Sequence, residues 1–157
     1  IQKRVQEERE KKKNRIEDYK PKELTINLPT ATKENVFYPL IDYELKDDIK
    51  DSYGKVLYKK GFVFNPLHYI SLNEKYIFID YTDKKQREWI KKQEINKDIT
   101  AKIIITNGRV FDAIKEFERE VFYANDILID KFKLEAVPSI VEQEQDRIKV
   151  KQFKLKD

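Results

Sequence analysis

Lys75-Tyr76-Ile77-Phe78-Ile79-Asp80 and Ala101-Lys102-Ile103-Ile104-Ile105-Thr106 are the two stretches on which the fold turns. Each is an apolar run of strand length, rich in β-branched and aromatic residues. Each is continuous rather than alternating, the pattern of a central strand covered on both faces. Between them, Thr82 or Asp83 offers a short side-chain oxygen that satisfies the free amides of a first helical turn, which predicts a helix running to about Asn96. Gln86, Trp89, Ile90 and Gln93 lie near one another on it. Trp89 reads first as a core residue, because a ring of that size contributes mainly by burying area.

Downstream, Asn107-Gly108 turns the chain into a helix over about Val110 to Arg119, with Phe111, Ile114 and Phe117 on its inner face. Val121-Phe122-Tyr123 reads as a short third strand. A helix from about Asn125 to Phe132 follows, with Ile127, Leu128 and Phe132 inward. Val137-Pro138-Ser139-Ile140-Val141 and the alternating Arg147 to Phe153 form an antiparallel pair across a turn near Gln145-Asp146. Strand, helix, strand, helix, short element, helix, strand, strand is the order of a thioredoxin-like fold. Such folds carry a Pro, typically cis, immediately before the first strand of the final hairpin, and Pro138 stands there. A cis bond has a low free-energy cost only before proline; a trans Pro opening a strand is the plainer alternative.

Upstream, Gly54 and Gly61, two of the chain's three glycines, bracket the alternating run Lys55-Val56-Leu57-Tyr58. That argues for a strand closed by a turn at each end. Asn65-Pro66 then forces another turn. Pro21 to Pro39 reads as an extended linker, interrupted by Val36-Phe37-Tyr38, that wraps over a surface rather than folding alone. Residues 1–20 are mostly charged, without Gly or Pro, and place Glu7 before Lys11 and Glu8 before Lys12 at helical spacing, so a solvated helix is expected. The organisation is therefore a charged helical arm over 1–20, an extended linker and β-hairpin segment packing on the core over 21–70, and a thioredoxin-like domain over 71–157.

Composition narrows the chemistry. With 157 residues the chain holds one domain of ordinary size with an appended arm. Its 33 Lys and Arg against 29 Asp and Glu leave a net charge of +4, too small to imply a polyanionic partner. Lysines are interspersed with acids, and most of the 9 Tyr and 9 Phe fall on faces the core needs, so direct nucleic-acid contact is not expected. There is no cysteine, which excludes disulfide exchange, a thiolate nucleophile and a cysteine metal site. Where an active thioredoxin relative opens its first helix with Cys-x-x-Cys, this chain has Tyr81-Thr82-Asp83-Lys84-Lys85-Gln86.

The remaining reactive groups form no set. His68 is the single histidine and sits beside Pro66-Leu67, as a turn or surface residue does. Asp47, Asp48 and Asp51 lack the spacing of a calcium-binding helix-loop-helix and read as a turn-forming acidic stretch. No catalytic residue, metal, cofactor or small-molecule substrate is expected. No run approaches the roughly 18 apolar residues of a membrane-spanning helix, so the chain reads as soluble. It starts at Ile1 with no apolar signal core, a start compatible with a leader removed beforehand.

Gly54-x-Val56-x-Tyr58-x-x-Gly61-x-x-Phe64-Asn65-Pro66-Leu67, the strand end Phe78-Ile79-Asp80 and Gln86-x-x-Trp89 together resemble the TraW family of F-type conjugative type IV secretion systems. The likeness returns at Ile103 to Gly108, Val121-Phe122-Tyr123 and Val137 to Gln143, spanning about Asp48 to Phe153. It implies a non-enzymatic periplasmic assembly or scaffold protein needed for pilus assembly and plasmid transfer, associated with a TrbC-like protein and other components of the secretion apparatus. Phe64, Asn65, Pro66, Leu67, Tyr69, Asp80, Gln86, Trp89 and Pro138 are the residues of the partner-binding or structural motif. The Asn65-Pro66-Leu67 turn either presents Phe64, Leu67 and Tyr69 to a partner or docks the N-terminal extension onto the core. A chaperone binding client segments beside Pro138, and a DNA-contacting channel component, are the competing readings.

Overall fold

A computed structural model describes residues 26–156, apart from the side chains of residues 95 and 96. The charged arm expected over residues 1–20 lies outside the described residues. Ten strands and three α-helices follow in chain order: β1 (Asn35–Phe37), β2 (Tyr43–Glu44), β3 (Ile49–Lys50), β4 (Val56–Tyr58), β5 (Val63–Phe64), β6 (Lys75–Asp80), α1 (Lys84–Lys92), β7 (Ala101–Asn107), α2 (Val110–Phe117), β8 (Val121–Tyr123), α3 (Asp126–Phe132), β9 (Ser139–Glu144) and β10 (Arg147–Gln152).

Six of the strands form one mixed sheet in the order β1-β10-β9-β6-β7-β8. β6, β7 and β8 are parallel neighbours, linked through α1 and α2, whereas β9 and β10 run antiparallel to their neighbours. β6 and β7 are both interior strands with a neighbour on each side, as their uninterrupted apolar character requires. Successive side chains of β6 point to opposite faces, and each face has its own core. Ile77 and Ile79 pack with Ile103, Ile105, Ala113 and Phe117 beneath α1 and α2. Phe78 packs with Ile104, Val141, Val150 and Phe132 on the other face. A single helix, α3, covers only part of that second face. Ile26, Leu28, Phe37, Ile41, Leu67 and Leu72 complete it, so the extended upstream segment serves as the missing half of a layer.

The first helix begins where a capping side chain was expected, and the first two helices stop earlier than expected. Asp83 caps α1 by accepting from the Lys85 amide, and Asn125 caps α3 through the Leu128 amide. The helix predicted to run to Asn96 ends at Lys92 and continues as a 3-10 turn over Glu94–Lys97. α2 likewise ends at Phe117, because Glu118 takes the left-handed conformation at φ 54°.

Two side-chain and strand expectations need correction. Ile127, expected to face inward, is 77% exposed, and Ile129 is buried in its place. The apolar run Ile127-Leu128-Ile129 fits two helical phases, and the one observed packs Leu128, Ile129 and Phe132 on the second core cluster. The stretch read as linker also contributes a sheet strand: β1 pairs with β10, Val36 opposite Lys151 and Phe37 opposite Val150. Its three residues are too few to show an alternating pattern between prolines.

Candidate functional site

Between β2 and β5 the chain makes one long, twisted hairpin. β2 pairs with β5, Tyr43 opposite Phe64, and β3 pairs with β4, Ile49 opposite Tyr58, nearer the tip. Backbone bonds from Leu45 to Phe62 and from Gly61 back to Leu45, both 2.9 Å, extend the inner ladder. The tip is a tight turn in which one Asp51 carboxylate oxygen accepts from the amides of Tyr53 and Lys55, both at 2.9 Å. Asp48 accepts from the Lys60 amide. The acidic stretch thus spends these carboxylates on turn amides. Gly54 and Gly61 sit at φ 84° and 91°, where a side chain would be strained.

The hairpin curls around an apolar cavity of about 240 Å³ lined by Leu45, Ile49, Tyr58, Phe62, Phe64 and Tyr69. Phe64 is its hub. Its ring centroid lies 5.7 Å from Tyr43 and 5.6 Å from Tyr69, both edge-on, and 6.0 Å from Phe62 in a stacked arrangement. Tyr58 leans on Phe62 at 5.2 Å. Edge-on and offset ring pairs suit the aromatic quadrupole, so the rings brace one another while much of their surface stays in water. Tyr69 is 65% exposed, and Ile49, Tyr58 and Phe62 are exposed as well. The rings therefore expose apolar surface around the mouth of the cavity.

The Asn65-Pro66-Leu67 turn proves to hold this hairpin to the sheet. Asn65 caps the 3-10 turn Pro66–His68, its Oδ1 accepting from the Leu67 amide at 2.9 Å. Its Nδ2 donates to the Asp146 carbonyl at 2.8 Å, in the turn between β9 and β10. His68 Nε2 lies 3.5 Å from the Asp146 carboxylate, with both side chains largely exposed. The Leu72 amide donates to Gln143 Oε1. Pro66 and Leu67 face a second, smaller cleft of about 190 Å³ against Tyr76, Leu128, Phe132 and Ile148. Leu67 is therefore a docking residue of the second core face, while Phe64 and Tyr69 point to the aromatic cavity.

Asp80, Gln86 and Trp89 lie elsewhere, at the corner where β6 passes into α1. Gln86 is fully buried; its Oε1 accepts from the Asp80 amide at 2.8 Å and its Nε2 donates to Asp83 Oδ2 at 3.1 Å. Asp80 Oδ1 takes the amide and hydroxyl of Thr82. These bonds satisfy backbone groups that the strand end and helix start would otherwise leave open. Trp89 packs on the first core cluster, its ring 5.1 Å from Phe153. Beside this corner, burial raises the Tyr81 phenol above its ordinary pKa. The neighbouring Glu116 charge adds to the effect, and the Arg87 guanidinium opposes it.

The Val137–Pro138 peptide is cis. The backbone of Val137 is occupied by the chain itself: its amide donates to the Pro29 carbonyl at 3.0 Å and its carbonyl accepts from the Ala31 amide at 2.8 Å. The motif residues thus fall into four places, and the structure brings only Phe64 and Tyr69 into the cavity. Leu45, Ile49, Tyr58 and Phe62 were missed as cavity residues. The signal lay in the apolar positions recurring on both arms of the hairpin, legible only once the cross-strand register is known.

No three His, Asp or Glu side chains among the described residues converge as a metal site, and no described helix is long and apolar enough to cross a membrane. Fold and site define a cysteine-free mixed α/β protein that offers an apolar, aromatic surface. Comparison with known proteins names a relative: over 98 residues, 62% of this chain, the sequence is 32% identical to Protein TraW of Escherichia coli (strain K12). The chain spans about half the length of this relative, the matched region covering 46% of it. No family model matches the chain, and no solved structure matches it.

Proposed function

We propose that this chain is a non-enzymatic assembly or scaffold component of an F-type conjugative type IV secretion system, acting in the periplasm through protein contacts. Its relationship to TraW supports a role in conjugative transfer. The strand and helix order from β6 to β10, with a cis X–Pro bond ahead of the last hairpin, supports a thioredoxin-like body that lacks the thiols of its redox counterparts. The observation that carries the scaffold reading is the cavity lined by Leu45, Tyr58, Phe62 and Phe64, a preformed apolar receptor with exposed aromatic walls. Aromatic anchors at such a cavity contribute most of the binding free energy in typical interfaces. A TrbC-like protein is the expected occupant. Broad client binding beside Pro138 has less support, because the backbone groups there already have partners in Pro29 and Ala31.

Capture from conjugating cells tests this. Tyr58→Asp, which puts a charge on the exposed wall, is expected to abolish recovery of a TrbC-like protein and leave the thermal unfolding of the chain unchanged. Recovery equal to that of the unaltered chain, in moderate as well as high salt, would remove the cavity from the interface. Affinity for DNA that falls steeply with salt would favour the channel reading instead.

A further inference from the structure

On the second core face, the cleft of about 190 Å³ opens between the Pro66–His68 turn, α3 and the sheet. Leu67 and Leu72 form one wall, Leu128 and Phe132 of α3 another, and Tyr76 and Ile148 come from the strands. One charged residue joins this apolar lining: Lys131, in the last turn of α3, whose side chain is exposed. We infer that the cleft binds a small amphipathic monoanion, a straight-chain aliphatic carboxylate of about seven or eight carbons, with the chain in the hollow and the carboxylate on the Lys131 ammonium.

Three observations carry this. The first is size. An apolar cavity of about 150 Å³ holds benzene, or about 25 Å³ for each carbon, so 190 Å³ matches a chain of about seven or eight. The second is that the cleft is preformed. Asn65 fixes the turn to the Asp146 carbonyl, and the Leu72 amide donates to Gln143 Oε1 at 2.6 Å, so the walls are held by bonds to the last hairpin rather than by contents. Binding then requires little ordering of the chain. The third is charge. Lys75, Lys91, Lys102 and Lys149 each have a carboxylate within ion-pair distance, whereas Lys131 has no such partner among the described residues. Its aliphatic stem follows the cleft while its ammonium stays in water. A ligand with an apolar chain and one terminal anion matches both halves of that side chain. An aliphatic side chain of a partner protein would fill the hollow but bring no charge to Lys131. The cleft shares no lining residue with the aromatic cavity, so this inference stands apart from the scaffold reading.

Titration of the full chain with the series from butanoate to dodecanoate, followed by the NMR shifts of the Leu128 and Phe132 amides, tests this. Affinity is expected to rise about fourfold with each added methylene and to level off at about seven or eight carbons, where the hollow is full. Lys131→Met keeps the stem and removes the charge; octanoate is expected to bind about two- to fivefold more weakly to it, with 1-octanol unaffected. Leu128→Trp, which fills the cleft, is expected to abolish octanoate binding, and Tyr58→Asp, at the aromatic cavity, to leave it unchanged. Dihexanoyl phosphatidylglycerol, an anionic head on two chains, is expected to bind more weakly than octanoate. Affinity that climbs without a break to dodecanoate, or octanoate binding that survives in Leu128→Trp, would overturn the site. Equal loss of octanoate and 1-octanol in Lys131→Met would overturn the role of the charge, and tighter binding of the phospholipid would overturn the free carboxylate as ligand. If Leu128→Trp does not fold, the position of the break in the chain-length series decides.

Discussion

The Asn65 side chain reaches 81 residues along the sequence to donate to the carbonyl of Asp146 at 2.8 Å. One carboxamide thereby joins the turn that ends the aromatic hairpin to the turn between the last two strands, and with its other end it caps the Pro66–His68 turn. Asn65→Ala removes both bonds. The expected cost is about 1 kcal/mol, typical of a lost cap or a neutral hydrogen bond, and it should appear as faster hydrogen exchange over residues 43–64. Protection of β6 and β7 is expected to stay the same. Equal loss in the central strands would show that hairpin and sheet unfold as one unit.

Gln86 is the buried counterpart of that tether. Fully enclosed at the start of α1, it satisfies the Asp80 amide and one oxygen of Asp83. Gln86→Ala leaves an amide without a partner and a void beside it, so a loss of roughly 2–4 kcal/mol is expected in chemical denaturation. Gln86→Leu fills the void but not the bond and should recover only part of the loss. Full recovery with Leu would show that volume, not the hydrogen bond, is what the site requires.

These two residues also mark how far the sequence was legible. The central sheet was, because Ile77 to Ile79 and Ile103 to Ile105 are too apolar for anything but interior strands covered on both faces. The cap at Asp83 was too, as one of two candidates with Thr82, since capping depends on one side chain and its near neighbours. What escaped was everything set by partners distant in sequence. Asn65-Pro66-Leu67 announced a turn, but only the fold reveals Asp146 as its counterpart and Leu67 as a filler of the second core face. The aromatic cavity was missed for the same reason: Tyr58 and Phe62 become walls around Phe64 only in the observed hairpin register.

Gly108 and Gly54 separate two costs that a glycine substitution combines. Both have positive φ, 105° and 84°, which disfavours any side chain. A Cβ on Gly54 would meet nothing within 4 Å, whereas one on Gly108 would come within 2.9 Å of Tyr81 Cβ and 3.0 Å of its Cδ1. Gly54→Ala should cost about 1 kcal/mol from the backbone alone. Gly108→Ala should cost more, roughly 2–4 kcal/mol, because Tyr81 is wedged against Phe117 in the first core cluster and cannot retreat freely. Similar losses at the two sites, measured by urea unfolding, would show that Tyr81 yields.

Tyr81 also sets a limit on the alkaline side. Burial, reinforced by the Glu116 and Asp112 charges and opposed by Arg87, raises its phenol pKa above the ordinary 10.0 in the folded chain. The unfolded chain releases this proton first. Its contribution to stability is therefore fully present below about pH 10 and is lost as the pH rises through the raised folded value. Other tyrosines titrate in the same range, so the informative quantity is the stability difference between the unaltered chain and Tyr81→Phe at each pH. That difference should be flat from neutrality to about pH 9 and should then move in favour of the phenylalanine variant, which has no proton to lose. A difference that remains flat to pH 11 would mean that the Tyr81 phenol titrates alike in the folded and unfolded chain, and that water reaches the corner between β6 and α1 more freely than its packing against Phe117 and Gly108 implies.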